Sequence, residues 1–129
     1  MKENVIKVLK VAPHEVPEVI YLENKLEVLQ TAVSIGATYR GLIEIISLDR
    51  ESCIVCNEEG KLIGLEPNRR LGSDILCGVF YITGQTEDGD LASLPEHLIK
   101  RYSAYFATPQ DIPEEEVGET LVIEFILDE

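Results

Sequence analysis

Apolar and polar residues alternate along short segments of this chain, and the alternation predicts β-strands. The first segment is Val5 to Val11, and Ala12-Pro13-His14 ends it with a turn. Glu18 to Leu22 follows Pro17 as its expected hairpin partner. Further strands are predicted at Leu42–Leu48, Ser52–Cys56, Ile75–Ile82 and Thr120–Leu127.

Two segments have the spacing of amphipathic helices. The first begins at Asn24, where Glu27 completes a capping box, and stops at Gly36. The second covers about residues 94–107, where Ser93 and Glu96 form the same capping pattern. Their apolar positions recur at helical intervals: Leu26, Leu29 and Val33 in the first helix, and Leu98, Tyr102, Tyr105 and Phe106 in the second.

These elements predict an α+β fold, with a mainly antiparallel sheet of about five to six strands and two helices packed on it. Residues 1–108 form the expected core domain. Pro109 and Pro113 introduce a second part, an acidic linker and C-terminal strand over residues 109–129. Residues 62–72 contain glycine, proline and polar residues between single leucines, which favours an ordered loop.

The net charge of −13 restricts the classes of partner. Eight of the 24 acidic residues lie between Asp111 and Glu129, where there is no basic residue. An acidic chain repels phosphate backbones, so direct nucleic-acid binding is not expected. The acidic C-terminal part has two interpretations, a solvated linker beside a strand or a face that imitates nucleic acid.

Length and cysteine content favour a cytoplasmic protein with one packed domain. The chain has 129 residues, of which 45% are apolar, and its apolar runs fall short of the roughly 18 residues that cross a membrane. Met1-Lys2-Glu3-Asn4 does not resemble a signal peptide, and three cysteines without one are expected to be reduced.

No set of residues has the spacing of a catalytic or metal centre. Cys53 and Cys56 are three apart in a predicted strand, so their thiols point to opposite faces and are not expected to share a metal. His14 and His97 have no pattern of nucleophile, acid or metal ligand beside them. The sequence therefore predicts neither an enzyme nor a cofactor.

The segment Pro67-Asn68-Arg69-Arg70 is the best candidate for a binding site. Asn68 offers a donor and an acceptor, and guanidinium groups bind planar anions through two parallel hydrogen bonds. Asn57 and Gly78 complete the candidate ligand-binding set. In the structural alternative, Arg69 or Arg70 neutralises a carboxylate: Glu66, Asp74 or the turn Glu58-Glu59.

Several segments together resemble a small domain family of unknown function found in phages and bacterial mobile elements. The resemblance covers about residues 4–106, and its most specific parts are Asn57-Glu58-Glu59-Gly60-Lys61 and Pro67-Asn68-Arg69. It implies a small α+β domain in a phage or mobile-element setting, with no established activity or catalytic residue.

That setting favours an accessory protein that counters host defence by binding. The first hypothesis is sequestration of an anionic, nucleotide-like small molecule without catalysis, with Arg69 and Arg70 on phosphate and Tyr81, Tyr102 or Tyr105 stacking on a base. The alternative is an acidic protein-binding inhibitor, a nucleic-acid mimic, that engages a host defence or nucleic-acid-handling protein. Pairing of the C-terminal strand with a second copy would give a homo-oligomer.

Overall fold

The computed structural model describes residues 3–120, which form eight strands and three helical segments. The strands follow the chain in this order: β1 (Val5–Val11), β2 (Glu18–Glu23), β3 (Ile43–Ser47), β4 (Ser52–Asn57), β5 (Pro67–Leu71), β6 (Asp74–Cys77), β7 (Phe80–Gln85) and β8 (Leu91–Ala92).

Six of these strands form one sheet, and all of its strand pairs are antiparallel. The order is β2-β1-β7-β4-β3, and β8 pairs with the end of β7. β5 and β6 form a separate antiparallel hairpin. The predicted α+β class with a mainly antiparallel sheet of five to six strands is therefore confirmed.

Both faces of the sheet are covered by apolar residues. One face, with Leu9, Ile54 and Phe80, packs against the helix near residue 102 and against Leu76 of β6. The other face, with Ile6, Val55 and Tyr81, packs against the helix near residue 29. Cys56 belongs to the first cluster and Cys53 to the second, so the two thiols lie on opposite faces, as their spacing predicts.

The helices are α1 (Leu26–Ala32), α2 (Glu96–Tyr105) and a third segment over residues 114–120. The sequence predicts two helices, and the described residues contain three helical segments. Both capping boxes are also wrong, because neither helix has a side-chain cap. Asn24 instead donates to the carbonyl oxygens of Glu3 and Leu91, and Ser93 accepts from the Lys7 amide. Hydrogen bonds to residues distant in the sequence have replaced the local caps.

The candidate loop is where the prediction and the structure differ most. Residues 67–71 form β5 instead of a loop, and the apolar run 75–82 is two strands instead of one. The chain turns at Gly78, whose φ is +84° and whose amide donates to the Glu66 carbonyl. Residues with a Cβ atom rarely adopt this backbone conformation, whereas glycine adopts it readily. Gly78 therefore allows the turn by which the chain passes from the hairpin into the sheet.

Residues 109–120 pack against the hairpin. Ile112 is buried and Val117 partly buried in a cluster with Leu65, Ile75 and Cys77. Residues 114–116, expected to be a solvated linker, are helical, and Glu114 and Glu115 are exposed as expected. Thr120 is helical too, and the rest of the predicted strand Thr120–Leu127 lies outside the described residues. The division into domains at residue 108 stays a prediction.

Within residues 3–120, no helix is long and apolar enough to cross a membrane.

We expect Gly78→Ala to destabilise the fold more than Gly72→Ala. Both glycines have positive φ, but a Cβ at Gly78 would lie 2.7 Å from the Leu65 Cδ1 atom, whereas nothing lies within 4 Å of one at Gly72. Gly72→Ala should lower the free energy of unfolding by about 1–2 kcal/mol, because alanine is strained at a left-handed backbone conformation. Gly78→Ala should lower the free energy of unfolding by about 1–3 kcal/mol more, because the added methyl group overpacks against Leu65. Denaturant unfolding of both variants measures the difference, and equal losses would contradict this role of Leu65.

Candidate binding surface

Asn68 is fully buried and ties the hairpin to the sheet. Its Nδ2 donates to the carbonyl oxygens of Val11, at the end of β1, and Gly78, each at 2.9 Å. Its Oδ1 accepts from Arg69 Nη1 at 2.7 Å. The side-chain amide is therefore used within the fold.

Arg69 is also fully buried, and carbonyl oxygens surround its guanidinium. Nε and Nη2 donate to Phe106 at the end of α2, Nη2 donates to Glu15 at 2.6 Å, and Nη1 donates to the two oxygens of Asn68. These five bonds equal the number of N–H donors on the group. Burial lowers the pKa of Arg69. An arginine titrates so far above neutrality that the group stays charged.

Arg70 points the other way, into solvent. Its Nε and Nη2 form a bidentate ion pair with the Glu116 carboxylate, at 2.7 and 2.8 Å. Its backbone amide donates to the Gln110 side chain. The pair raises the pKa of Arg70 and lowers that of Glu116. Arg70 therefore does neutralise a carboxylate, but the partner lies in the third helical segment and is none of those considered from the sequence.

The five predicted ligand residues do not meet in one place. Asn68 and Arg69 lie inside the fold, Arg70 lies on the surface, and Asn57 and Gly78 line two different cavities. Their assignment to a ligand stays a prediction, and the contacts of Asn68 and Arg69 are those of the structural alternative.

The larger cavity lies between the sheet and the hairpin, with a volume of about 480 Å³. We call it the first cavity. Its walls come from β3, β4, the turn after β4, and β6, and its lining residues are Glu44, Ile46, Cys56, Asn57, Glu58, Glu59, Gly60, Lys61, Leu62, Asp74, Ile75, Leu76 and Cys77.

Carboxylates dominate the charge of the first cavity. Glu44, Glu58, Glu59 and Asp74 line it, and we call them the acidic rim. Glu44, Glu58 and Glu59 are exposed. Lys61 is the one cation among the described lining residues, and it forms an ion pair with Asp74. The electrostatic potential at this surface is therefore negative and favours a cationic partner.

Asn57 gives the acidic turn its shape. It is buried, its Oδ1 accepts from the Glu59 amide at 2.9 Å, and its Nδ2 donates to the Val33 carbonyl at 3.4 Å. This side chain mimics a backbone turn. These contacts hold the backbone of Glu58 and Glu59 at the rim.

Two thiols also line the first cavity, but neither is suited to nucleophilic chemistry. Burial raises the pKa of Cys56 to about 12, with a further rise from the Glu44 carboxylate. Burial raises the pKa of Cys77 to about 11. Both thiols are therefore protonated at neutral pH, whereas the thiolate is the reactive form. The described residues also include no group of three or more His, Cys, Asp or Glu side chains placed to hold a metal ion.

A second cavity of about 410 Å³ lies on the other side of Gly78. Lys10 is the cation among its described lining residues, and no ion pair within residues 3–120 involves it. Glu15 and Glu66 line the same cavity, and Glu66 Oε1 lies 2.7 Å from His14 Nε2. The second cavity is therefore lined by charges of both signs, whereas the charges at the acidic rim are mainly negative.

The tyrosines suggested for stacking differ in their surroundings. Tyr81 is buried and donates to the Ala32 carbonyl. Tyr102 is buried and donates to Asp49 at the turn between β3 and β4. Only Tyr105 is largely exposed among these three.

The sequence reasoning missed the acidic rim as a site. Its members come from β3, the turn after β4, and β6, and the only local signal was the adjacent pair Glu58-Glu59. From the sequence, that pair belongs to a turn, to the family resemblance and to the possible partners of the arginines. The approach of β6 to β3 across the first cavity brings the four carboxylates together.

We expect Arg69→Ala to reduce stability strongly and Arg70→Ala to change it little. Removing the Arg69 guanidinium leaves buried carbonyl oxygens without donors, at about 1–3 kcal/mol for each unsatisfied group. Arg70 loses only an exposed ion pair, and such pairs contribute little. The free energy of unfolding in denaturant measures both variants. A normal free energy of unfolding for Arg69→Ala would contradict the structural role of this side chain.

Comparison with known proteins places the chain in a family without assigning an activity. Neither the curated proteins nor the solved structures include a significant match to this chain. A family model described as a domain of unknown function, DUF3846, matches residues 6–107, which is most of the chain and includes the hairpin, the acidic rim and α2. The chain therefore belongs to the DUF3846 family.

Proposed function

We propose that the chain is an accessory protein of a phage or mobile element that binds a basic surface of a host protein through the acidic rim, without catalysis. The clustering of Glu44, Glu58, Glu59 and Asp74 around one cavity supports this function. The phage setting comes from the sequence resemblance. A counter-defence role in the host cytoplasm follows from that setting.

The charge of the first cavity favours a protein partner over an anionic ligand. Four carboxylates and one lysine attract arginine or lysine side chains and repel phosphate. Complementary charges accelerate encounter and disfavour wrong partners. A surface of this kind suits an inhibitor that occupies the basic site of a nucleic-acid-handling protein.

The contacts of the arginines argue in the same direction. All five N–H donors of Arg69 are engaged within the fold, and Arg70 is paired with Glu116. A phosphate could reach the Arg69 guanidinium only by displacing buried bonds, so sequestration of a nucleotide by Arg69 would require the fold to rearrange. At Arg70 a phosphate would compete with the Glu116 carboxylate.

The second cavity supports a second candidate function, binding of a small anion. The observation that favours it is Lys10, which is not engaged in an ion pair within residues 3–120 and lines the same cavity as the backbone turn at Gly78. This cavity retains one predicted site residue, Gly78, but Glu15 and Glu66 oppose the charge that an anion needs.

Neutralising the acidic rim should abolish partner binding. The triple variant Glu44→Gln, Glu58→Gln, Glu59→Gln removes three charges from the rim. The matched control Glu87→Gln, Asp88→Asn, Asp90→Asn removes three charges from the exposed loop between β7 and β8. Affinity capture from host lysate, followed by mass spectrometry, should recover a protein with a basic surface on the native chain and the control but not on the rim variant.

Recovery of that partner should also fall as salt is added, because exposed charges are screened. Equal recovery by both triple variants, or loss only with the loop control, would contradict the role of the rim.

The second candidate makes a separate prediction. Native mass spectrometry of the chain purified from phage-infected cells should then show an added small-molecule mass, and Lys10→Ala should remove it because the cation that holds the anion is lost. Lys25→Ala, an exposed lysine after β2, serves as control. An unliganded mass for the native chain would exclude a ligand that survives purification.

A further inference from the structure

We propose that β2 is an interface between two copies of this chain, which pair edge to edge through this strand as a symmetric dimer. Backbone hydrogen bonds and the exposed side chains Val19 and Tyr21 would form the interface. The inference does not rest on the proposed function, because β2 and β3, the strand that carries Glu44 of the acidic rim, are at opposite edges of the sheet.

The backbone of β2 has an open side. Among the described strands, β2 pairs only with β1. The Asn24 amide donates to the Asn4 carbonyl, and hydrogen-bonded pairs alternate along the two strands from there, so Tyr21 and Lys7 stand opposite each other without bonding. The backbone groups of Lys7 accordingly bond on the other side of β1, to residues 93–94.

The same alternation directs the N–H and C=O groups of Val19 and Tyr21 away from β1, towards the open edge. Within residues 3–120, no hydrogen bond engages these groups. Proteins often protect an edge strand with a bulge, a proline or a lysine. β2 contains neither proline nor lysine, and its six pairs with β1 follow one another without a bulge. The edge can therefore receive another strand.

The exposed side chains of β2 fit a symmetric pairing. Val19 is 41% exposed and Tyr21 is 67% exposed, and both lie on the same face of the strand. Two antiparallel copies bond where outward-facing residues stand opposite each other, and Val19 opposite Tyr21 of the second copy meets this condition. That pair forms twice, with Ile20 opposite its own copy at the two-fold axis. Pairs of a β-branched and an aromatic residue stabilise neighbouring strands.

The local charge allows a second copy to approach at this edge. The net charge of −13 opposes self-association in general. Near β2, however, Lys25 pairs with Glu23 at 3.3 Å and Lys7 pairs with Glu96 at 2.7 Å. In the proposed register, Glu18 and Glu23 of the two copies do not stand opposite each other. One strand supplies both halves of the interface, so the occupant that fits it is a second copy of this chain.

The dimer would join the two six-stranded sheets through their β2 strands. β3 is the strand farthest from β2 in the sheet, so each end of the dimer would carry one acidic rim. Two rims on one particle would strengthen binding to a partner that has two basic sites.

Light scattering of the full chain over a concentration series tests the dimer. One strand pair is a small interface, so we expect a dissociation constant in the micromolar range. Tyr21→Lys should raise this constant by about tenfold or more, because it removes both aromatic pairs. The change makes the net charge less negative, so general repulsion cannot explain a weaker dimer. Tyr39→Lys, at a tyrosine that is 51% exposed outside β2, should leave the constant unchanged.

A cysteine at the two-fold axis tests the register. In a strand pair without hydrogen bonds, opposite Cα atoms are about 4.5 Å apart, which suits a disulfide. Mild oxidation should therefore link Ile20→Cys into a covalent dimer, whereas the three native cysteines are buried. Leu22→Cys is the matched control, because Leu22 is also half-buried on the same face of β2 but does not meet its own copy in this register.

A native chain that stays monomeric up to millimolar concentration would overturn the proposal, and so would a dimer that Tyr21→Lys and Tyr39→Lys weaken equally or not at all. Crosslinking of Leu22→Cys in place of Ile20→Cys would overturn the register. Recovery of a different protein on the β2 edge of a monomeric chain would assign the edge to that partner and overturn the dimer.

Discussion

The buried guanidinium of Arg69 fixes how the parts of this fold are joined. No carboxylate of the described residues neutralises it, and carbonyl oxygens of three segments receive its donors: Glu15 after β1, Asn68 in β5 and Phe106 at the end of α2. The carbonyl end of a helix is the negative end of its dipole, so Phe106 is a favourable partner for a cation. Asn68 extends the connection to Val11 and Gly78.

The remaining architecture depends on this connection. The hairpin of β5 and β6 has only two strands, and an isolated hairpin is marginally stable in water. Asn68 and Arg69 hold it against the sheet, where Leu76 joins the core under α2. The position of the hairpin in turn leaves the first cavity between β6 and β3. The residues first considered for a ligand therefore shape the molecule, and the cavity that they help to form has the charge for recognition.

Charge then decides which partner suits that cavity. Lys61 is the one cation among the described residues that line it, and Lys61 pairs with Asp74. Specificity at the rim would therefore come from complementary charge more than from apolar contact. This is consistent with an acidic chain of net charge −13 whose acidic residues are not confined to the C-terminal part.

The sequence by itself determined the elements whose signal is local. Alternation in Val5–Val11 and the helical spacing of Leu98, Tyr102 and Phe106 gave β1 and α2, because burial of one face requires that periodicity. Tertiary structure decided the rest. Asn24 and Ser93 have capping patterns but bond to residues far away in the sequence. Arg69 and Arg70 are neighbours in a strand whose side chains alternate, so one is buried and the other exposed. The acidic rim brings together residues 44, 58, 59 and 74. No local sequence pattern predicts this cluster, because the packing of the hairpin on the sheet produces it.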